Sequence, residues 1–215
     1  APCPYFGPCT GCQWQHIEYS HQLELKRDIV REALDGYGLL GDVDVAEPLP
    51  GNRLLNYRNH ARFTVRRGGD VGFVSRITRR FVKIDSCMLM DRGINHALGQ
   101  LQGRCGETSQ LAIRFGVNTG ECLIQPRLRD GSIPLMSGQG HYRERLGDRT
   151  FRISSPAFFQ SNTPMTEQLT ALVRDRLRLQ PSETLVDAYA GVGTFSVLLA
   201  SQVRRVIAIE ESAAA

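Results

Sequence analysis

The sequence lacks several features that mark particular classes of protein. It contains no run of about 18 apolar residues, so no segment is predicted to span a membrane. It has no apolar segment of the kind that directs secretion. No internal repeat occurs, and the only low-complexity tract is the three alanines at the end. These absences argue against membrane spans, short secreted scaffolds and repeat arrays.

Lysine is also scarce, because Lys26 and Lys83 are the only two among 26 basic residues. The net charge of the whole chain is only +4 at neutral pH. The basic residues are concentrated, however. Nine of them lie between positions 53 and 83, where Asp70 is the only acidic residue. This concentration predicts an anionic partner for that stretch.

The basic stretch has the pattern of a β-hairpin. Residues 61–66 alternate between apolar residues and arginine or threonine, residues 67–70 form a turn, and residues 71–75 form a returning strand. Guanidinium groups on one face can bind phosphates or stack on bases, so RNA is the predicted partner. The alternative is a solvated face in an arginine-rich protein. The predicted RNA-binding residues are Arg58, Arg62, Arg66 and Arg79.

Four cysteines have a spacing typical of a metal site. Cys3, Cys9 and Cys12 lie within ten residues, among glycines and prolines that favour turns, and Cys87 follows 75 residues later. Thiolates that converge in this way suit a [4Fe-4S] cluster, and spacing alone leaves thiolate-bound zinc as an alternative. Disulfides or free thiols are the remaining alternatives.

The chain is longer than the short secreted domains in which disulfide frameworks occur, so a reducing, cytoplasmic location is expected. Cys105 and Cys122 lie outside the cluster pattern, and the sequence places no base beside either of them. Both are expected to be packed or half-exposed residues without a catalytic role.

The first 154 residues are predicted to form an α+β domain that carries the cluster. A helix capped by Tyr19 or Ser20 should end at Gly36, and further strands are expected at 111–115, 121–125 and 151–154. Because short turns separate these strands, the sheet should be antiparallel. The predicted fold of this domain is therefore a central antiparallel sheet with helices.

Residues 155–215 have a different pattern. A helix should begin at Pro164, capped by Asn162 or Thr163, with an apolar stripe along it. Residues 183–200 then give a strand, a glycine turn and a helix, and a second strand follows at 206–209. This order predicts the first βαβ unit of an α/β, Rossmann-like domain.

The glycine turn predicts a nucleotide-like ligand. Gly191 and Gly193 allow a tight turn and close approach to a ligand, and Glu210, at the end of the second strand, can accept hydrogen bonds from ribose hydroxyls. Dinucleotide sites usually place a third glycine where this chain has Ser196. S-adenosylmethionine carries no phosphate and tolerates Asp187 before the turn, so it is favoured over NAD.

Together these motifs resemble the RNA uracil-5-methyltransferases that carry an iron-sulfur cluster and act on 23S rRNA or tRNA. The resemblance runs from Cys3 to Glu210. The four cysteines match the family's cluster ligands, and residues 155–162 resemble its Ser-x-x-Phe-Phe-Gln-x-Asn motif. The resemblance implies that S-adenosylmethionine contacts Gln160, Tyr189, Thr194 and Glu210, although the family often has Asn at the position of Thr194.

In this family a cysteine thiolate adds to C6 of uracil, C5 then attacks the methyl group, and a carboxylate removes the C5 proton. The family's nucleophile and base lie in later strands and loops, so no catalytic residue is expected among these 215 residues. The chain is therefore expected to be part of a longer enzyme, with residues 155–215 as the beginning of its methyltransferase domain. A further segment is also expected before Ala1.

The predicted function is transfer of a methyl group from S-adenosylmethionine to C5 of a uridine in rRNA or tRNA, by a monomer that binds no membrane. The first alternative is a non-catalytic RNA-binding module with a structural metal cluster. The second is a nucleotide-dependent oxidoreductase that uses the cluster for electron transfer.

Overall fold

The computed structural model describes residues 1–38, 41 and 44–215. It divides into two compact units, each built from two stretches of chain. The first contains Ala1–Asn52 and Phe73–Val82, and the second contains Arg53–Gly72 and Lys83–Ala215. The boundary predicted between residues 154 and 155 lies within the second unit and stays a prediction.

The first unit is organised around one helix, α1 (Tyr19–Gly36). Its end at Gly36 is confirmed, but the predicted capping by Tyr19 or Ser20 is wrong. Glu18 is the N-cap, and its carbonyl accepts from the Gln22 amide, so both predicted caps already belong to the first turn. The Tyr19 hydroxyl instead accepts a hydrogen bond of 2.7 Å from the Gly51 amide and ties α1 to the segment that follows it.

The predicted antiparallel sheet is present and has five strands in the order β3-β2-β1-β4-β5. Strand β1 pairs antiparallel with β2 and β4, and β4 pairs antiparallel with β5. The hairpin of β1 and β2 is the one that the basic stretch predicts. The strands are β1 (His60–Val65), β2 (Val71–Val74), β3 (Phe81–Lys83), β4 (Gln110–Phe115) and β5 (Cys122–Gln125).

Helix α2 (Arg92–Leu101) was not predicted from the sequence. The Asp91 side chain caps it by accepting from the Gly93 amide at 2.8 Å, and its buried face carries Ile94 and Leu98. A side chain at Gly93 would meet the ring of Phe115 at 2.4 Å, so only glycine allows this approach of helix to sheet.

A second hairpin consists of β6 (His141–Leu146) and β7 (Arg149–Ser154). The sequence predicted β7 but not β6. Alternate side chains of both strands are buried, and these lie in a core cluster with residues of the next segment. The members of this core are Leu123, Tyr142, Leu146, Phe151, Ile153, Ala157 and Phe159.

The last part of the chain contains α3 (Thr163–Leu177), β8 (Thr184–Asp187), α4 (Thr194–Leu199), a short 3-10 helix (Ala200–Gln202) and β9 (Arg205–Ala208). Strands β8 and β9 are parallel, as the predicted βαβ unit requires. In the described part of the chain, no helix is both long enough and apolar enough to cross a membrane.

Helix α3 begins one residue before the predicted start at Pro164. Asn162 caps it as predicted, because its side chain accepts a hydrogen bond from the Met165 amide at 3.1 Å. Its buried residues are Thr163, Thr166 and Thr170, however, and the apolar stripe is partly or mostly exposed. The predicted apolar stripe is therefore present, but it is not the buried face of α3. The threonine face can be buried because Thr166 and Thr170 donate their hydroxyl protons to carbonyls one turn earlier.

Candidate functional site

The glycine turn connects the end of β8 to the start of α4. Gly191 has φ +54° and Gly193 has φ +84°, a region that favours glycine over residues with side chains. Gly193 is also the N-cap of α4. A Cβ at Gly191 would meet no atom within 4 Å, so the turn is open on that side and a ligand can approach its backbone.

The Glu210 side chain is hydrogen-bonded to this turn. It lies two residues beyond β9, and its Oε2 accepts a hydrogen bond of 2.7 Å from the Gly191 amide. Its Oε1 accepts another of 2.7 Å from the Ser212 amide. The hydrogen bonds from Ser212 and Gly191 lower the pKa of Glu210. An ionised, exposed carboxylate is therefore held beside the open turn.

Asp187 and Ser196 join the strand to the helix across the same turn. The Asp187 Oδ2 accepts hydrogen bonds from the Ser196 amide at 3.2 Å and from the Ser196 hydroxyl at 2.6 Å. Ser196 stands where dinucleotide sites place their third glycine. A serine suits this position because its hydroxyl satisfies the carboxylate that ends β8.

The other residues predicted to line the cofactor site lie in the turn, on α4 and in the segment before α3. Tyr189 is 94% exposed in the turn, and Thr194 is buried at the first position of α4. Gln160 is half-buried in the segment before α3. Among the six predicted cofactor residues, all of them described, Gly191 and Glu210 form the one hydrogen-bonded pair.

Residues 155–162, which carry the Phe-Phe-Gln motif, are anchored to the β1–β4 region by two polar side chains. The Asn59 side chain donates to the Gln160 carbonyl at 2.9 Å, and the Asn59 backbone amide donates to the Ser161 carbonyl at 2.9 Å. Arg114 Nη1 donates to the Ala157 carbonyl at 2.6 Å. These bonds fix the backbone on both sides of Gln160.

A buried polar network extends from this anchor. Asn59 also donates to the Thr163 hydroxyl at 2.9 Å, and that hydroxyl donates to Glu144 Oε2 at 2.8 Å. Glu144 is fully buried and also accepts hydrogen bonds from the amides of Val117, Asn118 and Arg145 at 2.8, 2.9 and 3.0 Å. Its carboxylate therefore connects β6 to the loop after β4 and to the start of α3.

Burial also changes the titration of the groups around Arg114. Arg114 is only 8% exposed, and its guanidinium lies near the buried Tyr142. Burial raises the pKa of Tyr142 to about 12. Burial, together with the positive charges of Arg114, Arg58 and Arg62, lowers the pKa of His60 to about 4. His60 is therefore neutral at physiological pH.

The predicted RNA-binding residues Arg58, Arg62 and Arg66 all belong to the second unit, and all three are exposed. The alternation predicted for β1 is confirmed, because Ala61, Phe63 and Val65 are buried. Arg79 belongs to the first unit, where it is exposed and has a left-handed backbone with φ +58°.

The predicted metal ligands Cys3, Cys9, Cys12 and Cys87 are all half-buried, and none of them forms a disulfide. The first three lie on the loop before α1, where the Cys9 amide donates to the Tyr5 carbonyl at 3.0 Å. In the described ranges, no group of three or more His, Cys, Asp or Glu side chains is arranged to hold a metal ion. Four cysteine thiols are nevertheless the donor type that iron-sulfur clusters use, so the residues fit such a group in their chemistry.

Cys105 and Cys122 have the environment of packed residues. Cys105 is fully buried and its Sγ lies 3.3 Å from the Leu101 carbonyl, while Cys122 is half-buried in β5. Burial raises the pKa of each thiol to about 11. Neither has the thiolate character of a nucleophile at neutral pH.

The fold is similar to that of a solved enzyme, the Pyrococcus abyssi tRNA (uracil-54, C5)-methyltransferase in complex with S-adenosyl-L-homocysteine. The TM-score is 0.75 at 23% identity, and the similarity covers 96% of this chain and 60% of that protein. At this identity the match shows a shared fold.

No family model matches the chain. Curated relatives match the chain in sequence, and they are named uncharacterized RNA methyltransferases. The relative in Synechocystis sp. is 30% identical over 97% of this chain and 57% of its own length. The relative in Halalkalibacterium halodurans is 27% identical over 98% of this chain and 58% of its own length. The chain spans little more than half the length of these relatives.

These matches confirm the resemblance predicted from the motifs: the chain is a homologue of bacterial RNA methyltransferases. Sequence reasoning assigned no positioning role to Asn59, Arg114 or Glu144. Asn59 and Arg114 hold the motif segment, and Glu144 is linked to Asn59 through Thr163. The sequence gives only a weak indication of this role, because each is a polar residue within or beside a strand whose buried positions are otherwise apolar.

Proposed function

We propose that the protein to which this chain belongs transfers a methyl group from S-adenosylmethionine to C5 of a uridine in rRNA or tRNA. The observation that carries the proposal is the open glycine turn, which is hydrogen-bonded to an ionised Glu210. The chain that carries this turn is homologous to RNA methyltransferases. The methyl group leaves the donor sulfur and bonds to C5 while the C5 proton departs, so S-adenosylhomocysteine and 5-methyluridine are the products.

The residues present suit S-adenosylmethionine better than a dinucleotide. The turn combines backbone open to a ligand with the Asp187 carboxylate before it, which would repel a pyrophosphate, and with Ser196 where dinucleotide sites have a third glycine. Glu210 would hold the ribose hydroxyls through its remaining lone pairs, with Gln160, Tyr189 and Thr194 as the other proposed contacts. The bound donor supplies an electrophilic methyl group. This βαβ unit is proposed to begin a Rossmann-like domain.

The first test of this function is methyl transfer by the full-length protein. Purified enzyme, labelled S-adenosylmethionine and unmodified rRNA or tRNA transcripts should yield labelled RNA. Digestion to nucleosides should place the label in 5-methyluridine. Label in another nucleoside would reject the uracil-5 assignment, and the absence of transfer to either RNA class would reject the methyltransferase assignment.

The proposal includes a [4Fe-4S] cluster held by Cys3, Cys9, Cys12 and Cys87, and a cytoplasmic location that keeps these thiols reduced. It is supported by the donor chemistry, since four cysteines outside any disulfide suit iron-sulfur ligation. No step of methyl transfer depends on the cluster in this account, and its proposed role is structural.

Full-length protein purified without air is expected to be brown and to contain iron and sulfide. Cys9→Ser or Cys87→Ser should remove both, because each substitution deletes one thiolate ligand. Iron and sulfide analysis gives the readout, and Cys122→Ser is the matched control that should leave both unchanged. A colourless wild-type protein with stoichiometric zinc would contradict the iron assignment and support the zinc alternative.

Arg62→Glu combined with Arg66→Glu is expected to weaken RNA binding and to flatten its salt dependence. Both side chains are exposed, whereas the alternating Ala61, Phe63 and Val65 remain buried, so the fold should survive. Each lost phosphate contact should reduce the slope of log K against log salt by about 0.7 on single-stranded RNA. Fluorescence anisotropy titrations over a range of salt would measure this. An unchanged slope and affinity would mean that this strand is a solvated face.

A further inference from the structure

The hairpin of β6 and β7 has one face in the core and one face outside. Tyr142, Leu146, Phe151 and Ile153 point inward, and each is buried. Glu144 is buried as well and Ser154 is half-buried, whereas the remaining side chains of the paired region are exposed. We define the outer face of the hairpin as His141, Arg143, Arg145, Thr150 and Arg152.

This outer face is basic and has no apolar side chain. Arg143 lies directly opposite Arg152 in the register of the two strands, and Arg145 lies opposite Thr150. Like charges placed opposite one another destabilise a strand pair. Arg152 Nη2 lies 3.3 Å from the ring nitrogen Nδ1 of His141, at hydrogen-bond distance. The folded hairpin therefore concentrates positive charge at some cost to its own stability.

Only part of this charge is neutralised within the chain. Glu121 pairs with Arg143, with Oε1 at 2.5 Å from Nη2 and 2.6 Å from Nε. This contact lowers the pKa of Glu121 and raises that of Arg143. Within the described ranges no salt bridge reaches Arg145 or Arg152. These two guanidinium groups remain available to an external anion.

The geometry also favours an extended polyanion. Arg143 and Arg145 are two residues apart on one strand, so their Cα atoms are separated by about 6.8 Å along the strand. That separation is comparable to the distance between neighbouring phosphates of an RNA strand. Arg152 lies on the adjacent strand and widens the basic surface across the hairpin.

We propose that the outer face of the hairpin binds the phosphate backbone of RNA, as a contact surface separate from the β1 arginines. The choice of RNA rests on the proposed function, since the chain is homologous to RNA methyltransferases. A membrane surface is disfavoured because the face offers no apolar side chain for insertion. Arg145 and Arg152 are the residues that carry the contact.

The test compares R145Q/R152Q with R174Q/R176Q in the full-length protein. Arg174 and Arg176 are exposed in the last turn of α3, so the control removes the same charge from another surface. Binding of a labelled, unmodified tRNA transcript and of a labelled polyuridylate is measured by anisotropy across a range of salt. R145Q/R152Q is expected to lower affinity about tenfold and to reduce the salt slope by about 1.4, from two lost contacts.

R145K/R152K should recover most of the affinity, because it restores the charges. The KM for RNA of R145Q/R152Q should rise, with kcat and the affinity for S-adenosylmethionine unchanged. Equal losses in R145Q/R152Q and R174Q/R176Q, or no loss in either, would overturn the proposal even if the wild-type protein methylates RNA. A selective loss in R145Q/R152Q would support the surface even if the wild-type protein transfers no methyl group.

Discussion

Glu144→Ala is expected to lower the free energy of unfolding by about 3–5 kcal/mol, which corresponds to a fall of roughly 10 °C in the thermal midpoint. Glu144 is fully buried and accepts from three backbone amides and the Thr163 hydroxyl. Alanine would leave these four donors without their acceptor in a site closed to water. Urea unfolding followed by circular dichroism would measure the change.

Two further variants make the Glu144 prediction specific. Glu144→Gln keeps one acceptor oxygen but turns an amide N–H₂ toward backbone donors. Its free energy of unfolding should therefore fall substantially, but by less than that of Glu144→Ala. Glu32→Ala removes the same charge from an exposed position on α1 and should change stability by less than about 0.5 kcal/mol. Similar stabilities for Glu144→Ala and Glu32→Ala would contradict the network described for Glu144.

Glu210→Ala is expected to weaken S-adenosylmethionine binding by the full-length protein by about ten- to a hundredfold. The substitution removes the proposed ribose acceptor. It also removes the hydrogen bond that holds the Gly191 amide at 2.7 Å, so the turn loses one of its fixed contacts. Calorimetric titration with S-adenosylmethionine would measure the loss, and iron content should not change.

Glu211→Ala provides the matched control for Glu210, since it removes the same charge from the next residue, which is also exposed. Its affinity for S-adenosylmethionine should equal that of the wild type. Gln160→Ala should weaken donor binding by a smaller factor than Glu210→Ala, because it removes a neutral amide. Unaltered donor affinity in the Glu210 variant would mean that the glycine turn is not the donor site.

The βαβ unit could be predicted because its signals are local. Gly191 and Gly193 require positive φ, and the apolar runs on either side have the lengths of a strand and a helix. The β1–β2 hairpin was predictable for the same reason, since its alternation and its turn are contiguous in sequence. Neither prediction depends on contacts between distant segments.

The polar anchors of the motif segment were not predictable from the sequence. Asn59 meets Gln160 and Thr163 across about a hundred residues of chain, and Arg114 meets Ala157 across 43. A polar residue next to a strand gives no indication of such a partner. Strand β6 was not predicted because Glu144 occupies one of its buried positions and so interrupts the alternation of apolar residues. Burial of a carboxylate is unusual.

The buried face of α3 was not predicted, for a related reason. Helical periodicity predicted an apolar stripe, whereas Thr163, Thr166 and Thr170 are the buried residues. Each threonine hydroxyl has a partner: Thr163 donates to Glu144, and the other two donate to carbonyls within the helix. The cost of burying these polar groups is thereby reduced, and the simple hydrophobic rule fails.

The central claim is methylation at C5 of uridine, and release of the C5 proton tests it most directly. RNA transcripts carrying tritium at C5 of uridine should release tritium to water when incubated with the full-length protein and S-adenosylmethionine. We expect one tritium released for each methyl group transferred. Methyl transfer without tritium release would place the methyl group on another atom and would contradict the account.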